Sequence, residues 1–108
     1  MPRYKMIALT KPVAGKEAEY HDWYQNTHLP EICALPGVLG AQRYKVAVPL
    51  QNFDDRPFLA VYDIEIDNIM DMLAGLKTNP TTPTDASDNA AAYTVIFEEF
   101  GDRVEAKA

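Results

Sequence analysis

Cysteine is almost missing from this chain. Cys33 is the only one among 108 residues, so no internal disulfide can form and a small scaffold stapled by disulfides is excluded. Long apolar runs are missing as well. None approaches the roughly 20 residues that a membrane-spanning helix needs. Basic residues are sparse: 10 Lys and Arg stand against 16 Asp and Glu, a net charge of −6. They are scattered, which argues against nucleic acid or an anionic membrane as partner, since both demand concentrated positive charge. There is no Gly-rich phosphate loop, no Cys-x-x-Cys and no Ser-His-Asp order. Residues 1–7 carry no apolar signal-peptide core and no cleavage site, so the expected location is cytoplasmic.

What is present reads as one globular domain over residues 1–108. Hydrophobic residues make up 47% and charged residues 24%, too apolar for a disordered chain. Residues 4–10 predict a first strand, and Pro12 and Gly15 punctuate a turn after it. Residues 17–28 predict a helix that puts Tyr20, Trp23, Tyr24 and Thr27 on one face. Pro30 ends or kinks that helix, or else opens a short second one over 31–35. Pro36 and Gly37 stop it. Residues 39–48 predict strand two, with Tyr44, Val46 and Val48 on one face. A loop over 49–57 contains Asn52, Asp54 and Asp55. Residues 58–66 predict strand three. Asp67 or Asn68 caps a helix over 69–77, where Ile69, Met70, Leu73 and Leu76 follow helical spacing. Residues 79–89, with Pro80 and Pro83, predict a mobile loop placed to cover a pocket. Residues 93–100 predict strand four, and 101–108 a polar tail.

The order β-α-β-β-α-β predicts an α+β fold of the split βαβ, or ferredoxin-like, kind: a four-stranded antiparallel sheet with helices on one face. Such sheets usually alternate apolar and polar residues. These strands do not. Phe58, Ala60, Tyr62, Ile64 and Ile66 share one face of strand three, and Leu59 and Val61 take the other. Tyr93, Val95 and Phe97 oppose Ile96 and Phe100; Met6 and Ala8 oppose Ile7 and Leu9. Helices cover one face only, so the second needs another cover, and the simplest is a second copy of the chain.

One string carries a family resemblance: Trp23-Tyr24-Gln25-Asn26-Thr27-His28-Leu29-Pro30-Glu31, then Leu35-Pro36-Gly37-Val38 and Ala41-Gln42-Arg43-Tyr44. It resembles the EthD-like branch of the dimeric α+β barrel superfamily, closely over the first half of the chain and by element order over the second. The resemblance implies a homodimer in which two sheets form a barrel with helices outside. It also implies a pocket between each subunit's helices and its own sheet, with the His of the motif beside it. The superfamily's chemistry includes cofactor-free oxygenation, cyclisation and isomerisation, and a haem-handling branch.

His28 is the first candidate for catalysis. It sits at the rim of the apolar stripe beside Tyr24, and small effects move a histidine pKa across neutrality, which suits proton transfer. The competing reading is a histidine at a helix C-terminus, stabilising the dipole. Tyr24 borders His28 and is the second catalytic candidate. Trp23, Tyr44, Tyr62 and Arg43 are candidates for substrate contact. Trp23 and Tyr20 also suit plain burial against the sheet, and Arg43 also suits an ion pair at the sheet rim or across a dimer. Asp63 and Glu65 suit pairing with Arg43 or Lys45. His21 and His28 are seven residues apart, about 10.5 Å of helical rise, too far to share a metal ion. His21 and Glu17 suit solvation or mutual pairing, and Cys33 a small buried apolar role. The expected function is a cofactor-independent enzyme on a small apolar substrate, aromatic or polyketide-like, working by proton transfer through His28. The alternative is a dimeric small-molecule-binding or stress-related protein without catalysis. Haem degradation is a third reading, with His28 as axial ligand.

Overall fold

A computed structural model describes residues 1–53 and 55–107. Asp54 of the predicted loop and Ala108 of the predicted tail lie outside the described residues. The elements are β1 (Arg3–Thr10), a helical stretch made of α1 (Glu17–Trp23), a π-helical turn (Tyr24–His28) and α2 (Leu29–Cys33), then β2 (Val38–Lys45), β3 (Phe58–Glu65), α3 (Ile69–Thr78), a 3-10 turn (Asn89–Ala91) and β4 (Tyr93–Glu98). The four strands form one antiparallel sheet in the order β2-β3-β1-β4. The α+β arrangement is compatible with a ferredoxin-like fold.

Cross-strand register settles the faces. Met6 lies opposite Tyr62 and Ile96, and Ala8 opposite Ala60 and Thr94. With Tyr4, Thr10, Phe58 and Ile64 they make the face that receives the helices. Tyr20, Tyr24, Leu29 and Ile32 from the first helical stretch and Met72 from α3 are buried against it. Asn68 caps α3, its side chain accepting a hydrogen bond from the Met70 N–H at 3.0 Å. The other face carries Ile7, Leu9, Leu59, Val61 and Val95. Its outer aromatics, Tyr44, Tyr93 and Phe97, remain 53, 50 and 54% exposed.

Several boundaries differ from the sequence expectation. Strand two stops at Lys45, opposite Phe58, and Val48 is exposed. The Val46 N–H reaches Pro57 O, but Pro57 has no N–H to return, so the ladder ends there. Strand four stops at Glu98, because its neighbour β1 begins at Arg3, and Phe100 is fully exposed rather than on the helix face. The first helix does not end at His28. Pro30 lacks the N–H that would bond Asn26 O, and its ring crowds that carbonyl. The chain widens to a π turn instead, with the Leu29 N–H on Tyr24 O, and stays helical to Cys33. His28 is therefore inside a helical stretch, and the dipole-capping reading falls.

The 79–89 segment is irregular, as its prolines demand, and it is tied back to the start of the chain at several points. Pro12 and Ser87 form a β-bridge, the Val13 N–H donates to Ala86 O at 2.7 Å, and Ala86 and Ser87 are buried.

Gly37 links α2 to β2 at φ +84°, and a Cβ there would stand 2.8 Å from the Ile66 Cβ. Gly15 has φ +85° with nothing within 4 Å of such an atom. Both glycine-to-alanine changes meet the left-handed penalty of about 1–2 kcal/mol. Gly37→Ala should be the more destabilising in denaturant titration, because only there must the neighbouring side chain also move. Equal losses would contradict this.

Candidate functional site

A cleft of about 310 Å³ opens between the π turn, the end of β1 and the 79–89 strap. Trp23, Tyr24 and His28 form the helical wall. Ala8, Thr10 and Thr94 form the floor on the sheet, and Thr81, Thr82, Thr84 and Ser87 the far side. No charged residue lines it among the described residues, so hydroxyl groups supply most of its polarity.

The π turn arranges the aromatic wall. The His28 ring stacks on Trp23 at 4.5 Å and 20°, and Tyr24 meets it edge-on at 5.1 Å and 80°. His28 Nδ1 is buried and has no hydrogen-bond partner. A proton on Nδ1 would be an orphaned donor, so the cheap form of the ring is neutral with Nδ1 bare. Burial pushes the His28 pKa below its ordinary value, and the Glu31 carboxylate opposes this weakly. Burial also raises the Tyr24 phenol, which therefore keeps its proton. Behind Tyr24 lies Tyr62, 1% exposed, whose hydroxyl is raised in the same way. The two phenols are close enough to affect each other's ionisation, yet Tyr62 Oη makes no hydrogen bond of normal geometry.

The strap is latched to the helical stretch at one residue. The Thr82 N–H and Oγ1 donate to the two Glu31 carboxylate oxygens at 2.9 and 2.8 Å, and Trp23 Nε1 donates to Thr82 O at 3.0 Å. The hydrogen bonds from Thr82 hold the Glu31 carboxyl below its usual range. Lys16 and Asp85 add an ion pair at 2.8 Å.

The candidate residues thus separate into groups. His28, Tyr24 and Trp23 come together in the cleft wall, with Tyr62 behind them. Arg43 is not in the lining. Its guanidinium lies 4.8 Å from the Tyr24 ring centre and within hydrogen-bond distance, 3.0 Å, of His21 Nδ1. Neither the predicted rim ion pair nor the pairing with Asp63 or Glu65 forms. Asp63 pairs with Lys5, and Glu65 with Arg3 at 2.8 Å. Tyr44 is on the opposite sheet face, one residue out of phase with Arg43, and shares no space with His28. His21 pairs with Arg43 rather than with Glu17, whose carboxylate takes the Gly15 N–H at 3.1 Å. Cys33 is half-buried and thiol-protonated by desolvation. Among the described residues no three metal-capable side chains gather, and no helix is long and apolar enough to cross a membrane.

Sequence reasoning missed the hydroxyl lining and the Glu31 latch. Thr10 was within reach, since alternation from Met6 and Ala8 places it on the helix face. Thr94 needs the β1–β4 register, and the Thr82–Glu31 contact joins positions 51 apart in sequence. A larger hollow of about 450 Å³ lies at the other end of β1, lined by Arg3, Lys5, Leu39, Asp63 and Phe97. Arg3 and Lys5 there are already paired, so the His28 cleft is the candidate for chemistry.

Comparison with protein-family models, curated proteins and solved structures finds no match to this chain.

The lowered His28 pKa has a consequence for stability. The unfolded ring takes up its proton near pH 6.5, before the folded one does. Stability contributed by the neutral ring is complete above that pH and falls as acid is added, until the folded pKa is passed. Chemical denaturation between pH 7.5 and 5 should show this loss, and His28→Gln should flatten part of it. A pH profile identical in parent and variant would contradict the assignment.

Proposed function

We propose that the protein is a homodimeric, cofactor-independent enzyme of the EthD-like kind, in which His28 moves a proton on a small, uncharged, largely apolar substrate held in the cleft. The observation that carries this reading is the buried, partnerless Nδ1 of a neutral imidazole in the wall of a solvent-connected cleft. At rest the neutral ring carries its proton on Nε2. To take a substrate proton at that nitrogen it uses the minor tautomer with the proton on Nδ1, at a cost of roughly 1–3 kcal/mol for an unpaired buried donor. The protonated Tyr24 hydroxyl beside it is a hydrogen-bond donor for a substrate oxygen that gains charge as the proton leaves. Burial pushes the two pKa values apart, His28 down and Tyr24 up, which is how acid and base roles separate in one site. His28 then returns the proton at another atom, giving a cyclisation, isomerisation or elimination with no net redox change. Trp23 fixes the imidazole plane by stacking. The uncharged lining favours neutral aromatic or polyketide-like molecules over anions.

The homodimer belongs to the same reading. Ile7, Leu9, Leu59, Val61 and Val95 with Tyr44, Tyr93 and Phe97 make an apolar patch that no helix covers, bordered by Gln42 and the Lys5–Asp63 ion pair. A second copy presenting the same face gives both copies the cover they lack. Sedimentation at micromolar concentration should then report about twice the 12.1 kDa of one chain, and a clean monomer would count against the dimer.

Proton transfer is measurable without knowing the natural product. Aromatic β-ketones in D₂O should lose their acidic C–H faster with the protein present. His28→Gln should reduce that exchange about 100-fold or more, the usual weight of a positioned base. Undiminished exchange in the variant would remove His28 from catalysis. If ligands were retained in native mass spectrometry without any exchange, the protein would be a binding module.

A further inference from the structure

Arg43 is held in a way that the His28 chemistry does not use. Arg3, Lys5 and Lys16 each face a carboxylate. No carboxylate pairs with Arg43 among the described residues. Its guanidinium carbon instead lies 4.8 Å from the ring centre of Tyr24, 5.6 Å from Tyr20 and 5.8 Å from Phe58. Nη2 is 3.0 Å from His21 Nδ1. A guanidinium only donates, so Nδ1 must accept, and a neutral His21 carries its proton on Nε2. The His21 ring is itself fixed, edge-on to Phe58 at 4.6 Å and to Tyr20 at 5.0 Å. Burial first, then the Arg43 charge, lower the His21 pKa, so the ring stays neutral and keeps accepting near pH 7.

Among the described residues, the buried side-chain nitrogen and oxygen atoms without partners are His28 Nδ1 and Tyr62 Oη. Arg43 supplies neither, and the Tyr20 hydroxyl also lies within reach of its guanidinium. A half-buried guanidinium thus has one donor anchored on a histidine nitrogen, three aromatic rings around it and no carboxylate partner among the described residues.

We infer that Arg43 is a preorganised receptor for a small organic carboxylate, with His21 holding the guanidinium in position and the Tyr20, Tyr24 and Phe58 rings flanking it. A carboxylate matches the guanidinium fork with two parallel hydrogen bonds. Fixing the fork in advance removes much of the ordering loss that binding otherwise incurs. The site lies outside the His28 cleft and adjoins it through Tyr24, whose ring contacts both Arg43 and His28, and through Tyr20, whose hydroxyl bonds Thr10 on the cleft floor. It stands whether or not His28 is a base.

Benzoate and its neutral isostere benzamide separate the outcomes, with the His21 ring resonances as reporter and sodium chloride at matched ionic strength as control. Benzoate should shift the His21 signals saturably, and benzamide should not. Arg43→Met should weaken benzoate at least tenfold. Arg43→Gln, which keeps more of the polar shape, serves if the methionine variant does not fold. No saturable shift, equal shifts from both ligands, or undiminished benzoate binding in a folded variant would overturn the site.

Discussion

Tyr20, Tyr24 and Tyr62 place three phenol hydroxyls in the layer between the first helical stretch and the sheet. Taking a hydroxyl out of water without a partner costs roughly 1–3 kcal/mol, so each group constrains what surrounds it. Tyr20 Oη shares a hydrogen bond with Thr10 Oγ1, which fixes the start of the helix over the end of β1. Tyr24 and Tyr62 face one another deeper in, and Tyr62 Oη finds no regular partner. The aromatic bodies hold the layer together while the hydroxyls leave a polar seam through it. That seam ends at His28 on one side and at Arg43 on the other. Both chemical features of the molecule are therefore consequences of burying phenols instead of aliphatic side chains.

Pro30 does the second part of the positioning. A regular helix cannot pass through it unchanged, and the local answer is one widened turn. The extra residue sits at Tyr24–His28, the stretch that also carries the cleft wall. π turns of this kind often occur at functional sites, where they redirect a side chain without ending the helix. Here the result is a histidine stacked on Trp23 with one nitrogen sealed from water. The same helical stretch carries Glu31, which ties Thr82 and closes the far wall of the cleft.

The strands and helices were legible because their burial is periodic. Met6, Ala8 and Thr10 alternate on β1, as Ala60, Tyr62 and Ile64 do on β3, and α3 shows its cap, although Met72 is the methionine it buries and Met70, expected on the apolar face, is exposed. The two-sided apolarity of the sheet was legible for the same reason. What Pro30 does to the helix was not, since a proline announces a disturbance without choosing between stop, kink and widening. Tyr44 and Arg43 were both named for substrate contact, yet neighbours on a strand must face opposite ways, and only the register shows which one meets the helices. The strap was legible as a loop from its composition, but where it attaches was not. Its anchors, Thr82 to Glu31 and Trp23, are long-range and leave no local trace.

The central claim is a neutral, desolvated imidazole with a bare Nδ1 in the cleft wall. Nitrogen-15 and proton NMR of the two histidine rings across pH 4 to 8 tests it most directly, with His28 assigned by its absence in His28→Gln. The account predicts an Nε2-protonated neutral ring at pH 7 and a titration midpoint below about 6.5. A midpoint at or above that value, or a proton resident on Nδ1, would contradict it.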